Sequence, residues 1–394
     1  MKNPPALLGG RPLANPPLPF VRPSLPALEE LEKPYREILR NGMVTTGRYA
    51  EQLGETLAAS LGVKRAIAVS SCTTGLLLAV QALNLPEGSE VILPSFTFMA
   101  SALGPVWNRL QLRFVDVDRH TMNLDPEAVT AAVTPAASAI IGVHQFGNPA
   151  PIEALRSLAD KHGLALVYDA AHGFGALHHG KPLGRYGNAE VFSLTPTKLM
   201  IAAEGGIVAT DDEAVAEHVR VGRNYGNPGN YDCLFPGMNA RMSEFHAILA
   251  LHSLSRLETA AQRRNHAVAL YRERLGRIPG IGFQRIAPAD RSSYKDFSIV
   301  VEENDFGLTR KSLADALLAE GIHTRVYYSP VLHQMQAFQP FVEKDADARL
   351  PNTLYLESHA LSLPLYSDMT DAEVDLVCAA FERIHEHAPA IAAR

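Results

Sequence analysis

The residues with the clearest chemical potential are one lysine and one aspartate, each set just past an apolar run. Val191-Phe192 leads through Ser193 and a polar turn, Leu194-Thr195-Pro196-Thr197, to Lys198; Gly205-Gly206 and an apolar Ile207-Val208-Ala209 follow. Lysine is almost never fully buried without a purpose. An amine held in an apolar pocket has a lowered pKa and attacks carbonyl carbons. A lysine in an exposed loop is an equally good reading of this stretch alone, so other residues must decide. Upstream, the run Leu164–Tyr168 ends in Asp169-Ala170-Ala171-His172. A carboxylate at a strand end is costly to bury unless it meets a cation; a helix cap at Asp169 and a hydrogen-bonded structural histidine at His172 are the plainer alternatives. Ser71-Cys72-Thr73-Thr74-Gly75 lies between a strand pattern and a helix pattern. Hydroxyls and N–H groups at a helix start make either a phosphate seat or an ordinary cap. Phe98 follows Pro94-Ser95-Phe96-Thr97. It can stack on a flat heterocycle or fill a core, and Phe96 competes for the first role.

These groups need a scaffold that brings strand ends together, and the flanking pattern supplies one. Apolar strand candidates at 66–70, 90–93, 112–117, 139–143, 164–169 and 207–209 alternate with helix candidates at 29–39, 49–61, 75–83, 99–106 and 151–162. Asp125-Pro126 is a further helix start, with an Asp cap and Pro at the first helical position. Near-continuous apolar strands separated by helices predict an α/β fold with a mostly parallel sheet covered on both faces. Ligands bind such sheets just beyond the carboxyl ends of the strands, where Ser71, Phe98, Asp169 and Lys198 fall. A helix follows Asp212, and a Gly/Asn-rich loop spans 223–242. A long helical stretch, 243–275, then joins a smaller α+β unit with strands expected at 294–301 and 323–328 and helices at 309–320 and 370–385. The division read from this is an extended, proline-rich N-terminal arm (1–27), a large cofactor-binding domain (28–255) and a small C-terminal domain (256–394).

The 394 residues carry 36 basic and 42 acidic side chains, a net charge of −6, which argues against a general nucleic-acid or anionic-membrane surface. Cys72, Cys233 and Cys378 are far apart. They form neither a metal-type spacing nor a disulfide framework, so no metal is expected and a reducing, cytoplasmic setting is. The start of the chain lacks the continuous apolar core of a signal peptide, and no apolar run approaches the length of a membrane span.

Taken together, a phosphate seat, a stacking aromatic, a strand-end Asp and a downstream Lys, in this order, describe a site for pyridoxal phosphate, which needs a lysine Schiff base, an acidic partner for its ring nitrogen and a phosphate cradle. At this point the sequence resembles the DegT/StrS-type sugar aminotransferases, a branch of the fold-type I pyridoxal phosphate enzymes, over about residues 28–385. The matching stretches are SSCTTGLLLAVQAL (70–83), LPSFTFMASALGPV (93–106), YDAAHGFGA (168–176), VFSLTPTKLMIAAEGGIVATDD (191–212), GMNARMSEFHAILAL (237–251) and LSLPLYSDMTDAEV (361–374). The resemblance implies that Lys198 carries the cofactor, Asp169 pairs with its ring nitrogen, and His172 sits near its O3′. It implies that Thr73, Thr74 and Ser193 hold the phosphate, that Phe98 stacks on the ring, and that Asn239 reaches the phosphate of a neighbouring subunit, making a homodimer with shared sites. Arg241, Tyr327, Tyr328 and His333 fall where relatives contact substrate. The chain departs from the family at Cys72, where many relatives have Gly, and at Tyr225, where many have His before Gly226.

The activity implied is transfer of an amino group from glutamate to a keto-sugar, most readily one linked to a nucleotide. A cyclitol ketone, a keto-sugar acid or an aminohydroxybenzoate precursor is the alternative acceptor. Lys198 counts against a sugar 3-dehydratase, whose relatives have histidine there, and the Lys198/Asp169 pair counts against a non-catalytic regulator on this scaffold.

Overall fold

The computed structural model describes residues 4–394. Seven strands form the central sheet: β1 (Arg65–Val69), β2 (Glu90–Pro94), β3 (Gln111–Val115), β4 (Ala137–Val143), β5 (Ala165–Asp169), β8 (Ala189–Ser193) and β9 (Gly206–Thr210). A short hairpin, β6 (Leu177–His178) and β7 (Lys181–Pro182), intervenes. The order across the sheet is β1-β9-β8-β5-β4-β2-β3. All neighbours are parallel except β9, which runs antiparallel to both β1 and β8. The mostly parallel α/β sheet expected from the sequence is therefore the one observed.

Side-chain alternation explains why the sheet is covered on both faces. Val69, Val191 and Val208 point into one apolar layer with Leu76, Leu78 and Ala79 of helix α3 (Cys72–Ala82). Their strand neighbours Ala68, Phe192, Ile207 and Ala209 point into the other, against Leu53 and Leu57 of α2 (Arg48–Leu61) and Leu155 of α6 (Ile152–His162). The Asp125 cap forms as expected: its side chain accepts the Glu127 N–H at 2.9 Å, with Pro126 at the first helical position. The long stretch 243–275 is two helices, Glu244–Ser255 and Leu257–Leu275, that meet at Arg256.

The smaller unit is built on a three-stranded antiparallel sheet of β10 (Ile281–Phe283), β11 (Phe297–Val301) and β12 (Ala360–Leu363). Two expectations need correction here. Residues 323–328 are not a strand; they make only one bridge to the sheet, Arg325 with Ser362. The edge pairing stops there because the chain turns away, placing Tyr327 and Tyr328 in the wall of a cavity. Likewise β11 begins at Phe297 rather than at 294. Ser293 and Lys295 give their N–H groups to the carbonyls of Gly147 and Phe146 instead, tying the two units together.

Residues 4–22 run along this smaller unit. Ala14 and Leu18 lie in its core, the Leu18 N–H donates to the Gly321 carbonyl at 2.8 Å, and the buried Glu320 carboxylate accepts the N–H groups of Ala6 and Leu13. Met1–Asn3, at the tip of the proposed arm, fall outside the described residues. No helix among the described residues is long and apolar enough to cross a membrane.

Arg264 braces the smaller unit from within, where its chain reaches the cavity. Only 2% exposed, it donates to the carbonyls of Tyr294 (3.1 Å) and Lys295 (2.8 Å) and to Ser367 Oγ (3.2 Å). Burial lowers its pKa to about 10. Arg264→Leu leaves those carbonyls without a donor, and stability should fall by roughly 3 kcal/mol. Thermal unfolding followed by circular dichroism checks this; an unchanged midpoint would show the network to be dispensable.

Candidate active site

The strand ends converge on a cavity of about 290 Å³. β1 delivers the Ser71–Thr74 turn and the start of α3. Ser71 Oγ accepts the Thr74 N–H at 3.1 Å, and Thr74 Oγ1 accepts the Ser71 N–H at 3.2 Å. This is a reciprocal cap, and it occupies the Thr74 hydroxyl. Ser71, Cys72 and Thr73 line the cavity and Thr74 does not. The first-turn N–H groups of a helix have no partner within it, so this end of α3 can receive an anion. β9 passes close behind: a Cβ on Gly206 would lie 2.5 Å from the Cys72 nitrogen, so glycine is required where the strand meets the turn. That is the physical content of the double glycine in the sequence. The Cys72 thiol, pushed well above its ordinary pKa by burial and next by the Asp169 charge, stays protonated.

The loop after β2 presents Phe98, which is 51% exposed and lines the cavity, whereas Phe96 is buried against Phe146 and Tyr328. Of the two candidates, Phe98 is the one at the site. β5 ends in Asp169, 4% exposed, whose carboxylate accepts Ser101 Oγ at 2.6 Å and the Ala171 N–H at 3.0 Å. Burial raises its pKa, and those two bonds and the Lys198 charge oppose the rise. His172 Nδ1 accepts the Phe146 N–H at 3.2 Å, which leaves the ring proton on Nε2. Burial, followed by the charges of Lys198 and Lys295, holds His172 well below its ordinary pKa, so it is neutral.

Ser193 at the end of β8 and Lys198 beyond it line the same cavity. The turn is held by the Lys198 N–H donating to the Thr195 carbonyl at 3.0 Å and the Ala202 N–H to the Leu194 carbonyl at 2.8 Å. Burial lowers the Lys198 amine to a pKa of about 7; the nearby Lys295 charge pushes the same way, while Asp296, Cys72 and Asp169 push back. A lysine with that pKa is a substantially neutral nucleophile at physiological pH.

Sequence reasoning found the tyrosines of the opposite wall but missed its charges. Lys295 and Asp296, both buried, form an ion pair at 2.8 Å and line the cavity with Tyr328 and Glu204. The Lys295 ammonium also lies 5.1 Å from the centre of the Tyr327 ring. The signal was present: two adjacent charges directly before the apolar run Phe297–Val301. Tyr327 lines the cavity, as expected. His333 does not; it is buried elsewhere, with Nδ1 at 2.7 Å from Ser95 Oγ and Nε2 at 3.0 Å from Asp347. Arg241 is also outside this cavity, hydrogen-bonded to Asn224 and lying over the Tyr225 ring. Asn239 is exposed on the adjoining loop and outside the cavity of its own chain.

A depressed-pKa lysine, a buried strand-end carboxylate, a helix start able to hold a phosphate and an exposed aromatic fit one cofactor, pyridoxal phosphate. The fold and site thus define a fold-type I pyridoxal phosphate enzyme. Comparison with known proteins agrees. A model of the DegT/DnrJ/EryC1/StrS aminotransferase family matches residues 27–382. The structure of DesI, solved in the presence of its TDP-sugar product, superposes with a TM-score of 0.91 at 34% identity, covering 99% of this chain and 98% of that one. DesV from S. venezuelae superposes with a TM-score of 0.84 at 30% identity, over 94% and 98% of the two chains. A DegT DnrJ EryC1 StrS aminotransferase from Brucella abortus gives 0.85 at 26% identity, over 91% and 96%. The chain belongs to the DegT/DnrJ/EryC1/StrS aminotransferase family, and it is a pyridoxal phosphate-dependent transaminase.

The Lys198–Lys295 proximity gives a pH prediction. In cofactor-free protein, modification of Lys198 by an amine reagent should rise through about pH 7, well below the ~10.4 of an ordinary lysine. Lys295→Met removes a neighbouring positive charge and frees the Asp296 carboxylate, and both changes favour protonated Lys198, so the midpoint should move up. Mass-spectrometric quantification of the labelled peptide across pH reads this; an unmoved midpoint would show that Lys295 has no influence.

Proposed function

We propose that the chain moves an amino group from glutamate to a keto-sugar carried on a nucleotide, and does so in the cytoplasm as a homodimer with shared sites. The observation that carries the nucleotide is a second cleft of about 330 Å³ that shares Thr197 and Tyr327 with the first. It is lined also by Phe20, His323 and Arg325, and Arg325 forms no ion pair among the described residues. The first cavity is small for a cofactor and a sugar nucleotide together, since small-ligand pockets span about 300–1,000 Å³. A basic, aromatic cleft continuous with it suits a diphosphate and base. The likeness to DesI, whose structure was solved with its TDP-sugar product, supports the same reading.

In this reading Lys198 attaches the cofactor and, once free, moves a proton at the reacting carbon. Asp169 faces the ring nitrogen, His172 lies near the O3′, and Phe98 covers the ring. Thr73, Ser193 and the start of α3 hold the phosphate, with Thr74 acting through the cap. Pyridoxal phosphate supplies the electron-withdrawing ring that stabilises negative charge at that carbon. Asn239, exposed and outside the cavity of its own chain, reaches a partner's phosphate. Residues 28–255 serve as the cofactor domain and 256–394, joined by the N-terminal segment, as the small domain.

Borohydride reduction followed by peptide mapping should fix the cofactor on Lys198; an adduct on another lysine would refute the assignment. With glutamate as donor, nucleotide keto-sugars should be aminated, and Arg325→Ala should raise KM for them at least tenfold while leaving free keto-sugars unaffected. Equal effects on both would favour a nucleotide-free acceptor such as a cyclitol ketone. Mixing Lys198→Ala and Asn239→Ala chains should restore part of the activity through one intact site per mixed dimer. No rescue after demonstrated subunit exchange would exclude shared sites.

A further inference from the structure

A second cluster of ionisable side chains lies on the hairpin that follows the Asp169–His172 loop. The hairpin turns in two residues, His179 and Gly180, both left-handed with φ of 49° and 76°. This is the tight turn that matches strand twist. It sets two histidines side by side, His178 at the end of β6 and His179 in the turn, with ring centres 4.3 Å apart. Facing them is Glu153 in the first turn of α6. One ligand atom from each of Glu153, His178 and His179 lies within 4.8 Å of the other two.

The arrangement around His178 resembles that of a metal ligand rather than of a surface histidine. Its Nδ1 is 2.9 Å from Asp290 Oδ1, and the same oxygen accepts the His179 N–H at 3.1 Å. Asp290 and His178 are each 6% exposed at the side chain. A buried carboxylate on Nδ1 fixes the tautomer and turns Nε2 outward, as partners of metal-bound histidines do. Nε2 meets Glu153 Oε1 at 2.6 Å, and Glu153 is 70% exposed. Two carboxylates thus converge on one imidazole, an excess of negative charge that a divalent cation would neutralise.

We propose that Glu153, His178 and His179 bind a divalent ion of the zinc class, with water completing the coordination and Asp290 orienting His178. The ion takes the place of the direct contact between His178 Nε2 and Glu153 Oε1. Zinc–nitrogen and zinc–oxygen bonds of about 2.0–2.2 Å at tetrahedral angles set donor atoms roughly 3.4 Å apart, so the 2.6 Å contact between His178 and Glu153 opens and the wider separations close, movements that exposed Glu153 and His179 can make. Linear spacing gave no hint of the site because Glu153 stands 25 residues from His178. The ion joins α6 to the hairpin, and through Asp290 to the segment that leads to Lys295.

The test uses the cofactor-loaded protein dialysed against zinc chloride, with bound metal counted per chain and cobalt substitution reporting coordination by visible absorption. One zinc per chain is expected, with thermal stability raised by zinc and the gain reversed by a chelator. Glu153→Gln and His179→Ala, both at exposed positions, should each weaken binding at least tenfold, and Asp290→Asn about 10–100-fold. Cofactor absorbance and metal-free transaminase activity should be unchanged in Glu153→Gln and His179→Ala. Absence of zinc binding in the unaltered protein would overturn the proposal, and so would undiminished binding in the Glu153→Gln/His179→Ala double variant, which would place the metal elsewhere.

Discussion

The site depends on a balance of charges taken out of water. Asp169, Lys295 and Asp296 are each no more than 5% exposed, and Lys198 shares their cavity. An isolated charge in that setting is costly. The group is tolerable because two amines and two carboxylates face one another: Lys295 is held by Asp296, and Asp169 by Ser101 and the Ala171 N–H. The lysine with no close carboxylate contact is Lys198, and it is the one whose pKa falls to about 7. Nucleophilicity is therefore set first by burial of the amine and next by the charges of Lys295, Asp296, Cys72 and Asp169 around it.

The rest of the architecture delivers these groups. Parallel strands bring the Ser71 turn, the Phe98 loop and Asp169 to one edge of the sheet. Antiparallel β9 returns the chain from Lys198, and Gly206 lets it pass against the start of α3. The small unit closes the opposite side with Tyr327, Tyr328 and the Lys295–Asp296 pair. Its attachment runs through backbone bonds from Ser293 and Lys295 to the loop after β4, and buried Arg264 holds that segment in place.

What the sequence made legible follows the same division. The large unit reads well because apolar strands of five to seven residues, each followed by a small or polar turn, leave little choice of class. Lys198, Asp169, Thr73, Ser193, His172 and Phe98 share one cavity because they are strand-end residues of one sheet. The small unit reads poorly because its strands are short and its backbone partners are distant. Residues 323–328 have a strand-like alternation, yet their tertiary position lets only Arg325 pair. His333 stands in a stretch that suggests substrate, but both ring nitrogens are satisfied internally by Ser95 and Asp347. Lys295 and Asp296 carried a local signal, adjacent charges before an apolar run, without any sign of which surface they would meet.

The N-terminal segment has a consequence for how the chain is made. Ala14 and Leu18 complete a core whose other members, such as Ile322, Leu363 and Phe381, come from the far end of the sequence. Glu320 binds the N–H of Ala6 across 314 positions. During synthesis the large unit can assemble as its strands emerge, but this core has no partner for its first strip until the last quarter of the chain has been made. Contacts of such separation close slowly, so the apolar strip at 6–20, made long before its partners, is among the last parts to settle and is one a chaperone has long to hold.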